Sequence, residues 1–137
     1  MSTPRREKRP VSDPIPPRLH ELEAEVMEEL WRSGEAPVRA VMDALNSHTS
    51  KKRAYTTYMT IMARLHKKGM LVRRREGKTD FYAPSQDRDQ YMAQRARAQV
   101  EDLVAEYGDV ALSNFAQQMA SLDPARRRAL QRLARKA

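Results

Sequence analysis

The stretch KKRAYTTYMTIMARLHKKG, residues 51–69, decides the predicted fold. Its large apolar residues recur at helical spacing and form one stripe, which consists of Tyr58, Ile61, Met62 and Leu65. The opposite face carries only hydroxyls and cations, from Arg53, Thr56, Thr57, Thr60, Arg64 and Lys67. A helix that faces only water usually mixes acids with bases, because these pair along its surface. Gly69 follows the last turn, where glycine commonly ends a helix.

The lack of carboxylates on this outer face points to a negatively charged partner. The 137-residue chain has a formal net charge of +8, yet residues 51–79 alone contain ten basic side chains and one acidic one. Residues 19–50, by contrast, contain two basic and seven acidic side chains. A local excess of basic side chains of this kind is typical of a surface that binds a polyanion, since phosphate oxygens accept hydrogen bonds from cations and hydroxyls. A solvated charged face remains the alternative.

Two further helices are predicted before this stretch. Residues 19–33 have a helical apolar stripe, made of Leu19, Leu22, Val26, Met27, Leu30 and Trp31. Five glutamates are expected to cover its solvent face, namely Glu21, Glu23, Glu25, Glu28 and Glu29. Residues 33–37 contain Gly and Pro and are interpreted as a break, after which residues 38–47 form a short second helix. Three helices in this order, with a basic outer face on the third, predict a helix-turn-helix unit.

The sequence pattern changes after Gly69. Residues 70–76 and 79–84 are short extended runs separated by Gly77 and Lys78, which predicts a β-hairpin. Because side chains alternate along a strand, arginines are expected on both faces near the tip. A basic hairpin directly after a basic helix predicts the wing of a winged helix-turn-helix, with cations from Arg73, Arg74, Arg75 and Lys78. An ordinary exposed hairpin, whose charges protect its edge from aggregation, is the alternative.

The remainder of the chain is predicted to be helical. One helix is expected to end near Tyr107, a second surrounds Phe115, and a third is capped by Asp123 and opened by Pro124. Three amphipathic helices of this size cannot bury their apolar stripes alone, so a second copy of the chain is expected to cover them. A core within the single chain is the alternative. The side chains predicted to form this dimer interface are Tyr91, Met92, Val100, Leu103, Val104, Tyr107, Leu112, Phe115, Met119, Leu122, Leu130 and Leu133.

Composition excludes several other classes of protein. Cysteine is absent, which rules out disulfides, thiolate metal sites and a cysteine nucleophile. The histidines, His20, His48 and His66, lack ligand spacing, so no metal is expected. No nucleotide-binding fingerprint or nucleophile–base pair occurs, so we expect no cofactor and no enzyme activity. With no long apolar run and no signal peptide, no membrane insertion is expected, and a soluble, cytoplasmic protein is predicted.

Several short motifs follow one another in a distinctive order. They are LEAEVM at 22–27 with LW at 30–31, VRAV at 38–41, AYTTYMTIMARL at 54–65 with KKG at 67–69, and FYAP at 81–84. Together they resemble the penicillinase-repressor (BlaI/MecI) family, from about Leu19 to the C-terminus. The resemblance implies a homodimeric transcriptional repressor that binds a palindromic DNA operator, with an N-terminal winged helix and a C-terminal helical dimerisation domain.

The predicted fold class is therefore mainly α, with a winged helix-turn-helix and a small β-hairpin wing. Residues 1–17, which are rich in proline and basic groups, are predicted to be a flexible arm. Residues 18–84 are predicted to be the DNA-binding domain and residues 85–137 the helical dimerisation domain.

The residues predicted to bind DNA come from the third helix and the wing. The cations would contact phosphates and give a steep dependence on salt, while the threonines would face base edges. Arg74→Ala should then weaken binding to all sequences, and Thr57→Ala should mainly reduce discrimination between them. The full predicted set is Lys51, Lys52, Arg53, Tyr55, Thr56, Thr57, Thr60, Arg64, Lys67, Arg73, Arg74, Arg75 and Lys78. Two alternatives remain: a winged-helix protein that compacts DNA without sequence preference, and a module that binds an acidic protein.

A last motif concerns release from DNA. Leu112-Ser113-Asn114-Phe115 resembles the site at which a membrane-bound sensor protease cleaves members of this family. The resemblance implies that the bond between Asn114 and Phe115 would be cut, and that cutting would release the dimer. Ser113 departs from the apolar residue associated with cleaved members, and packing of a helix is the other explanation for these residues.

Overall fold

The structure is a computed structural model that describes residues 15–136. The chain divides into two compact units, one within residues 12–96 and one that begins at Arg97. The predicted arm lies mostly outside the described residues, because only its last three residues are described. Its flexibility therefore stays a prediction.

The first unit has the element order of a winged helix. The helices are α1 (Glu21–Ser33), α2 (Val38–Asn46) and α3 (Tyr55–Lys67), and the strands are β1 (Ala36–Pro37), β2 (Leu71–Glu76) and β3 (Thr79–Pro84). The strands form an antiparallel sheet in the order β1-β3-β2. Helix α4 (Arg88–Tyr107) begins in this unit, and α5 (Asp109–Ala120) and α6 (Pro124–Lys136) follow. The prediction of a mainly helical protein with a winged helix-turn-helix is confirmed.

The core of the first unit forms where the predicted stripes of the three helices meet. Its fully buried apolar side chains are Val26, Met27, Leu30, Val41, Tyr58, Met62 and Leu65. Three of these lie on α3, which confirms the predicted inner face of that helix. Leu71 and Tyr82 close the core from the sheet side, at 2% and 4% exposed. Helix α3 is therefore fixed by burial of one face, and its other face is left outward.

Strand β1 was not predicted, since residues 33–37 were interpreted as a break. Ala36 pairs with Tyr82 and Pro37 with Phe81, which adds a third strand beside the hairpin. A proline lacks the N–H that a central strand needs, but it is tolerated at the edge of a sheet. A two-residue strand is too short to show an alternation of apolar and polar side chains, so only its pairing with β3 identifies it. The first helix also begins at Glu21, two residues later than predicted, with His20 as its N-cap.

Glu23 contradicts the prediction that all the glutamates of α1 face solvent. It is 1% exposed, accepts a hydrogen bond from the backbone N–H of His20 at 3.0 Å and pairs with Nζ of Lys68 at 2.7 Å. Burial by itself raises the pKa of the Glu23 carboxyl, but the two hydrogen bonds and the Lys68 charge outweigh it and lower that pKa below its ordinary value. The pair joins the start of α1 to the residue that follows α3.

The first turns of α4 pack inside the first unit. The Tyr91 ring lies 5.4 Å from the Trp31 ring, and its hydroxyl donates to the carbonyl of Pro17 at 2.7 Å. Arg95 donates to the carbonyl of Pro16 at 3.2 Å. Tyr91, which we predicted at the dimer interface, is only 6% exposed here, because it fills a place in the core of its own chain. Pro16 and Pro17, at the end of the predicted arm, are thereby held against α4.

The second unit consists of helices with little interior. Gly108, with φ of +60°, separates α4 from α5 in a conformation that favours glycine. Asp123 accepts a hydrogen bond from the backbone N–H of Arg126 at 2.9 Å, which confirms the predicted cap of α6. Among the described residues from Arg97 onward, only Ala98 and Ala111 are buried. Leu122, which is predicted at the dimer interface, lies after the end of α5.

Candidate nucleic-acid interface

The outward face of α3 presents five of the six side chains that the sequence predicted there, whereas Arg53 precedes the helix. Thr56, Thr57, Thr60, Arg64 and Lys67 are all exposed, and no carboxylate lies on the helix. Met59 (45% exposed) also lies outward, although it was not among the predicted residues. Its apolar side chain can contact the methyl group of thymine, so the face combines hydroxyls, cations and one apolar group.

The start of α3 is held by Asn46, a residue that the sequence analysis did not single out. Its side-chain amide donates to the carbonyl of Arg53 at 2.9 Å and its oxygen accepts from the backbone N–H of Arg53 at 3.1 Å. The same oxygen accepts from the hydroxyl of the buried Tyr58 at 2.9 Å. One side chain thus closes the loop between α2 and α3 and sets where the outward face of α3 begins. A lone Asn at the end of a helix gives no signal of this in the sequence.

The residues before α3 form a second cationic group. Lys51 and Lys52 are exposed, whereas Arg53 is partly covered and approaches Glu25 at 3.7 Å. Arg39 from α2 lies over the ring of Tyr55, with its guanidinium carbon 5.1 Å from the ring centre. Arg39 was missed because it lies outside the run of cations, within a segment of net negative charge. The stack holds Tyr55 (38% exposed) beside the threonines.

The register of the hairpin places the wing arginines on both faces, as predicted. Arg73 lies opposite the buried Tyr82, and Arg75 lies opposite Asp80, which it approaches at 3.8 Å. Arg74 lies on the other face, opposite Phe81. Lys78 occupies the exposed tip between the strands.

Arg74 is held by neighbouring groups of its own chain. It donates to both carboxylate oxygens of Glu35, at 3.1 and 2.9 Å, and to Glu76 at 2.8 Å. Its guanidinium carbon lies 4.8 Å from the centre of the Phe81 ring. The hydrogen bonds from Arg74 to Glu35 and Glu76 raise the pKa of its guanidinium and lower that of the Glu35 carboxyl. Glu35 and Glu76 therefore offset the charge of the Arg74 guanidinium, which was predicted to contact phosphates.

Five of the twelve apolar residues predicted for the dimer interface are exposed in the single chain. Val100 is 42% exposed, Leu112 50%, Tyr107 55% and Leu133 65%. Met92, which belongs to the first unit, is 46% exposed. Five more are partly covered: Leu103, Val104, Phe115, Met119 and Leu130. Leu122 is partly covered as well, and Val110, at 64%, is an exposed residue that was not predicted.

The predicted cleavage site lies inside a regular helix. Asn114 and Phe115 are in the middle of α5, and the side-chain amide of Asn114 donates to the carbonyl of Val110 at 2.9 Å. Asn114 is exposed and Phe115 is partly covered.

Two general features of the described residues complete the picture. Between residues 15 and 136, no cluster of three or more His, Asp or Glu side chains could hold a metal ion. Over the same range, every helix is too short or too polar to cross a membrane.

Solved structures provide one comparison. The DNA-binding domain of the repressor BlaI, in solution, is 29% identical, and the match covers 58% of this chain and 93% of that one with a TM-score of 0.48. The monomeric form of Bacillus licheniformis BlaI in complex with the blaP half-operator is also 29% identical, over 56% of this chain and 90% of that one, with a TM-score of 0.46.

Sequence relatives and family profiles provide the other comparison. Transcriptional regulator BlaI of Mycobacterium tuberculosis is 40% identical over 89 residues, in both the CDC 1551 and the H37Rv strains. The match covers 62% of this chain and 63% of the relative, so the chain spans less than two thirds of the curated relatives it matches. A family profile described as penicillinase repressor matches residues 19–136, which is most of the chain. The chain therefore belongs to the penicillinase repressor family.

Proposed function

We propose that this protein is a transcriptional repressor that binds a palindromic operator in double-stranded DNA as a homodimer. The observation that carries the proposal is the outward face of α3, where hydroxyls and cations project and no carboxylate lies on the helix. In a winged helix the third helix commonly enters the major groove, which supports this assignment. Membership of the penicillinase repressor family supports the same function, as does the likeness to a transcriptional regulator.

The proposed interface divides into residues that position the protein on the DNA and residues that discriminate between base sequences. Lys51, Lys52 and the wing cations would displace counterions from phosphates, which supplies affinity without reading sequence. Thr56, Thr57 and Thr60 would face base edges, where hydroxyls hydrogen-bond and methyl groups contact thymine.

Arg74 takes a different part in this proposal from the one first predicted. Its guanidinium already binds Glu35 and Glu76, so a phosphate would have to compete with two carboxylates. We propose that Arg74 fixes the wing against the loop before β1, while Lys78 at the tip reaches the DNA backbone. Arg74→Ala should then weaken binding less than Lys78→Ala does, and a larger loss for Arg74→Ala would restore the first assignment.

The test of DNA recognition is selection of bound duplexes from a random pool, followed by titration near physiological salt. A repressor should enrich a palindrome and bind it at least a hundredfold more tightly than random duplex of equal length. Equal binding to both would identify a protein that compacts DNA without reading sequence. Failure to bind DNA at all would point to an acidic protein partner instead.

The homodimer is proposed because the second unit leaves large apolar side chains uncovered. Val100, Tyr107, Leu112 and Leu133 are between 42% and 65% exposed. A two-fold pair would bury such side chains and present two α3 helices about one DNA turn apart, roughly 34 Å.

Sedimentation of two matched variants tests the dimer. Leu112→Glu introduces a charge at a side chain that is 50% exposed and predicted to lie in the interface. Val72→Glu makes the same change on the wing, at 54% exposed. The first variant should sediment as a monomer and the second as a dimer. A wild-type protein that is monomeric at tens of micromolar would contradict the proposal.

Release by a membrane-bound sensor protease is proposed at the bond between Asn114 and Phe115. Because this bond lies within α5, the helix has to unwind locally before a protease can take the chain in extended form. Mass spectrometry of the protein from cells exposed to a β-lactam should detect a fragment that ends at Asn114. An intact chain after induction of the regulated genes would indicate another signal.

A further inference from the structure

Helix α6 carries a second cationic surface that the proposed interface does not use. Its thirteen residues contain six cations and no acid, whereas residues 80–123 contain three basic and eight acidic side chains. Four of the cations recur at helical spacing and form one stripe on the helix. The α6 stripe consists of Arg128, Arg132, Arg135 and Lys136, all of them exposed.

The α6 stripe is costly for the helix itself. Arg128 and Arg132, and then Arg132 and Lys136, are four residues apart, where like charges repel. Arg135 and Lys136 are favourable in the last turn because the helix C-terminus is negative. Arg128 lies in the second turn, where neither end of the helix stabilises a cation. Local helix stability therefore does not explain the stripe.

Contacts within the chain do not explain it either. Arg127 donates to the carbonyls of Met119 and Leu122, at 3.2 and 2.9 Å, and so covers the end of α5. No ion pair joins a residue of the α6 stripe to a carboxylate in the described part of the chain. Other helices differ, since Arg97 of α4 pairs with Glu101 at 3.9 Å.

We propose that the α6 stripe binds the phosphate backbone of duplex DNA, as a second contact independent of α3. This inference rests on DNA being the proposed partner of the protein. Arginine suits the site because its planar guanidinium binds phosphate oxygens in pairs. The other face of α6 offers only Leu130 and Leu133 as large apolar groups, too little to hold a membrane surface. Acids of a second copy, such as the exposed Glu106 and Asp109, are the competing partner, which the dimer measurement below tests.

The contact would act on affinity and not on sequence. Each phosphate neutralised adds about 0.9 to the slope of log affinity against log salt. Two arginines removed from each subunit should therefore lower that slope by about 2 per subunit. The DNA bound at α6 is either the flank of the duplex held by α3 or a second duplex, and these two sources give different results.

The experiment compares R128Q/R132Q with R32Q/R88Q in the full chain. Both doubles remove two positive charges, and Gln keeps the helical propensity of Arg. Arg32 and Arg88 pair with Glu29 and Glu28 in the first unit, and neither belongs to the predicted DNA-binding set. Salt titrations use a random duplex and a selected operator, each with and without 15-base-pair flanks. R128Q/R132Q should lower the salt slope on flanked duplex, and the control should not.

Two further measurements identify which duplex binds α6. If trimming the flanks abolishes the difference between the doubles, α6 binds the same duplex as α3. If wild type, but not R128Q/R132Q, lets an immobilised duplex capture a second labelled one, α6 binds another duplex. Either result supports the proposal.

Three results would overturn it. Equal salt slopes for the two doubles, together with no capture by wild type, would exclude the contact. A weaker dimer with unchanged slopes would assign the stripe to the subunit interface. Loss of binding to vesicles of anionic lipid, again with unchanged slopes, would assign it to a membrane surface. If R128Q/R132Q folds poorly, R132Q against R88Q decides, since the loss of one phosphate contact should lower the salt slope by about 1 per subunit. The random duplex keeps this test separate from the proposed function, because a slope change there needs no sequence preference.

Discussion

The two units of the chain differ in how far they bury their own apolar side chains. In the first unit the helices share a core with seven apolar side chains wholly shielded from water. Even its buried carboxylate, Glu23, has two hydrogen-bond donors. Within the described residues of the second unit, the two buried side chains are alanines, while Tyr107 and Leu133 are more than half exposed. The first unit therefore buries its own apolar core, whereas the described part of the second unit leaves large apolar side chains exposed, where we propose that a second copy packs.

Core truncation should give the largest contrast between the units. Leu65→Ala removes a fully buried side chain and leaves a cavity, so the free energy of unfolding should fall by about 2–5 kcal/mol. Leu133→Ala, at 65% exposed, should change it by less than about 0.5 kcal/mol at concentrations where the chain is monomeric. Urea titration of both variants measures the difference. Comparable losses would mean that Leu133 is covered within the single chain.

Loss of Asn46 should have the next largest effect. Asn46→Ala leaves the Tyr58 hydroxyl and the backbone of Arg53 without partners, which should cost about 1–3 kcal/mol. The loop before α3 should also loosen, so affinity for operator DNA should fall more than affinity for random DNA. Tyr58→Phe serves as the control, because it removes one hydroxyl and keeps both bonds to Arg53. If the two variants bound operator equally, Asn46 would have no role in placing α3.

The Glu23–Lys68 pair predicts how acid affects the first unit. Because the folded pKa of Glu23 is lowered, its contribution to stability is present above the unfolded pKa of about 4.5 and is lost as pH falls through the folded pKa. Wild type should lose more unfolding free energy between pH 6 and pH 3 than Glu23→Gln does. At pH 6 the variant should be less stable by about 1–2 kcal/mol, since the Lys68 side chain is 29% exposed and partly solvated. Parallel pH curves would show that the carboxylate contributes nothing.

The smallest effect separates the two cationic surfaces. Thr57→Ala on α3 should reduce the ratio of operator to random-DNA affinity by about fivefold, or about 1 kcal/mol, with the salt slope unchanged. R128Q/R132Q on α6 should instead lower the salt slope and leave the ratio of operator to random-DNA affinity unchanged. Competition titrations at two salt concentrations measure both quantities. Identical behaviour of the two variants would mean that α3 does not read bases.

The sequence by itself determined the elements whose signal is local. The spacing of Tyr58, Met62 and Leu65 set the inner face of α3, and the extended runs around Gly77 set the hairpin. The one-sided charge of residues 51–79 marked the candidate interface. These signals are readable because the period of a helix or strand fixes which neighbours share a face.

Only the tertiary structure decided the pairings between distant residues. Nothing near Glu23 indicates that Lys68 will lie beside it, and nothing near Arg74 identifies Glu35 as its partner. Strand β1, the Asn46 contacts and the intramolecular place of Tyr91 were missed for the same reason. Each depends on a group that lies far away along the chain and close in space, and such contacts leave no period in the sequence.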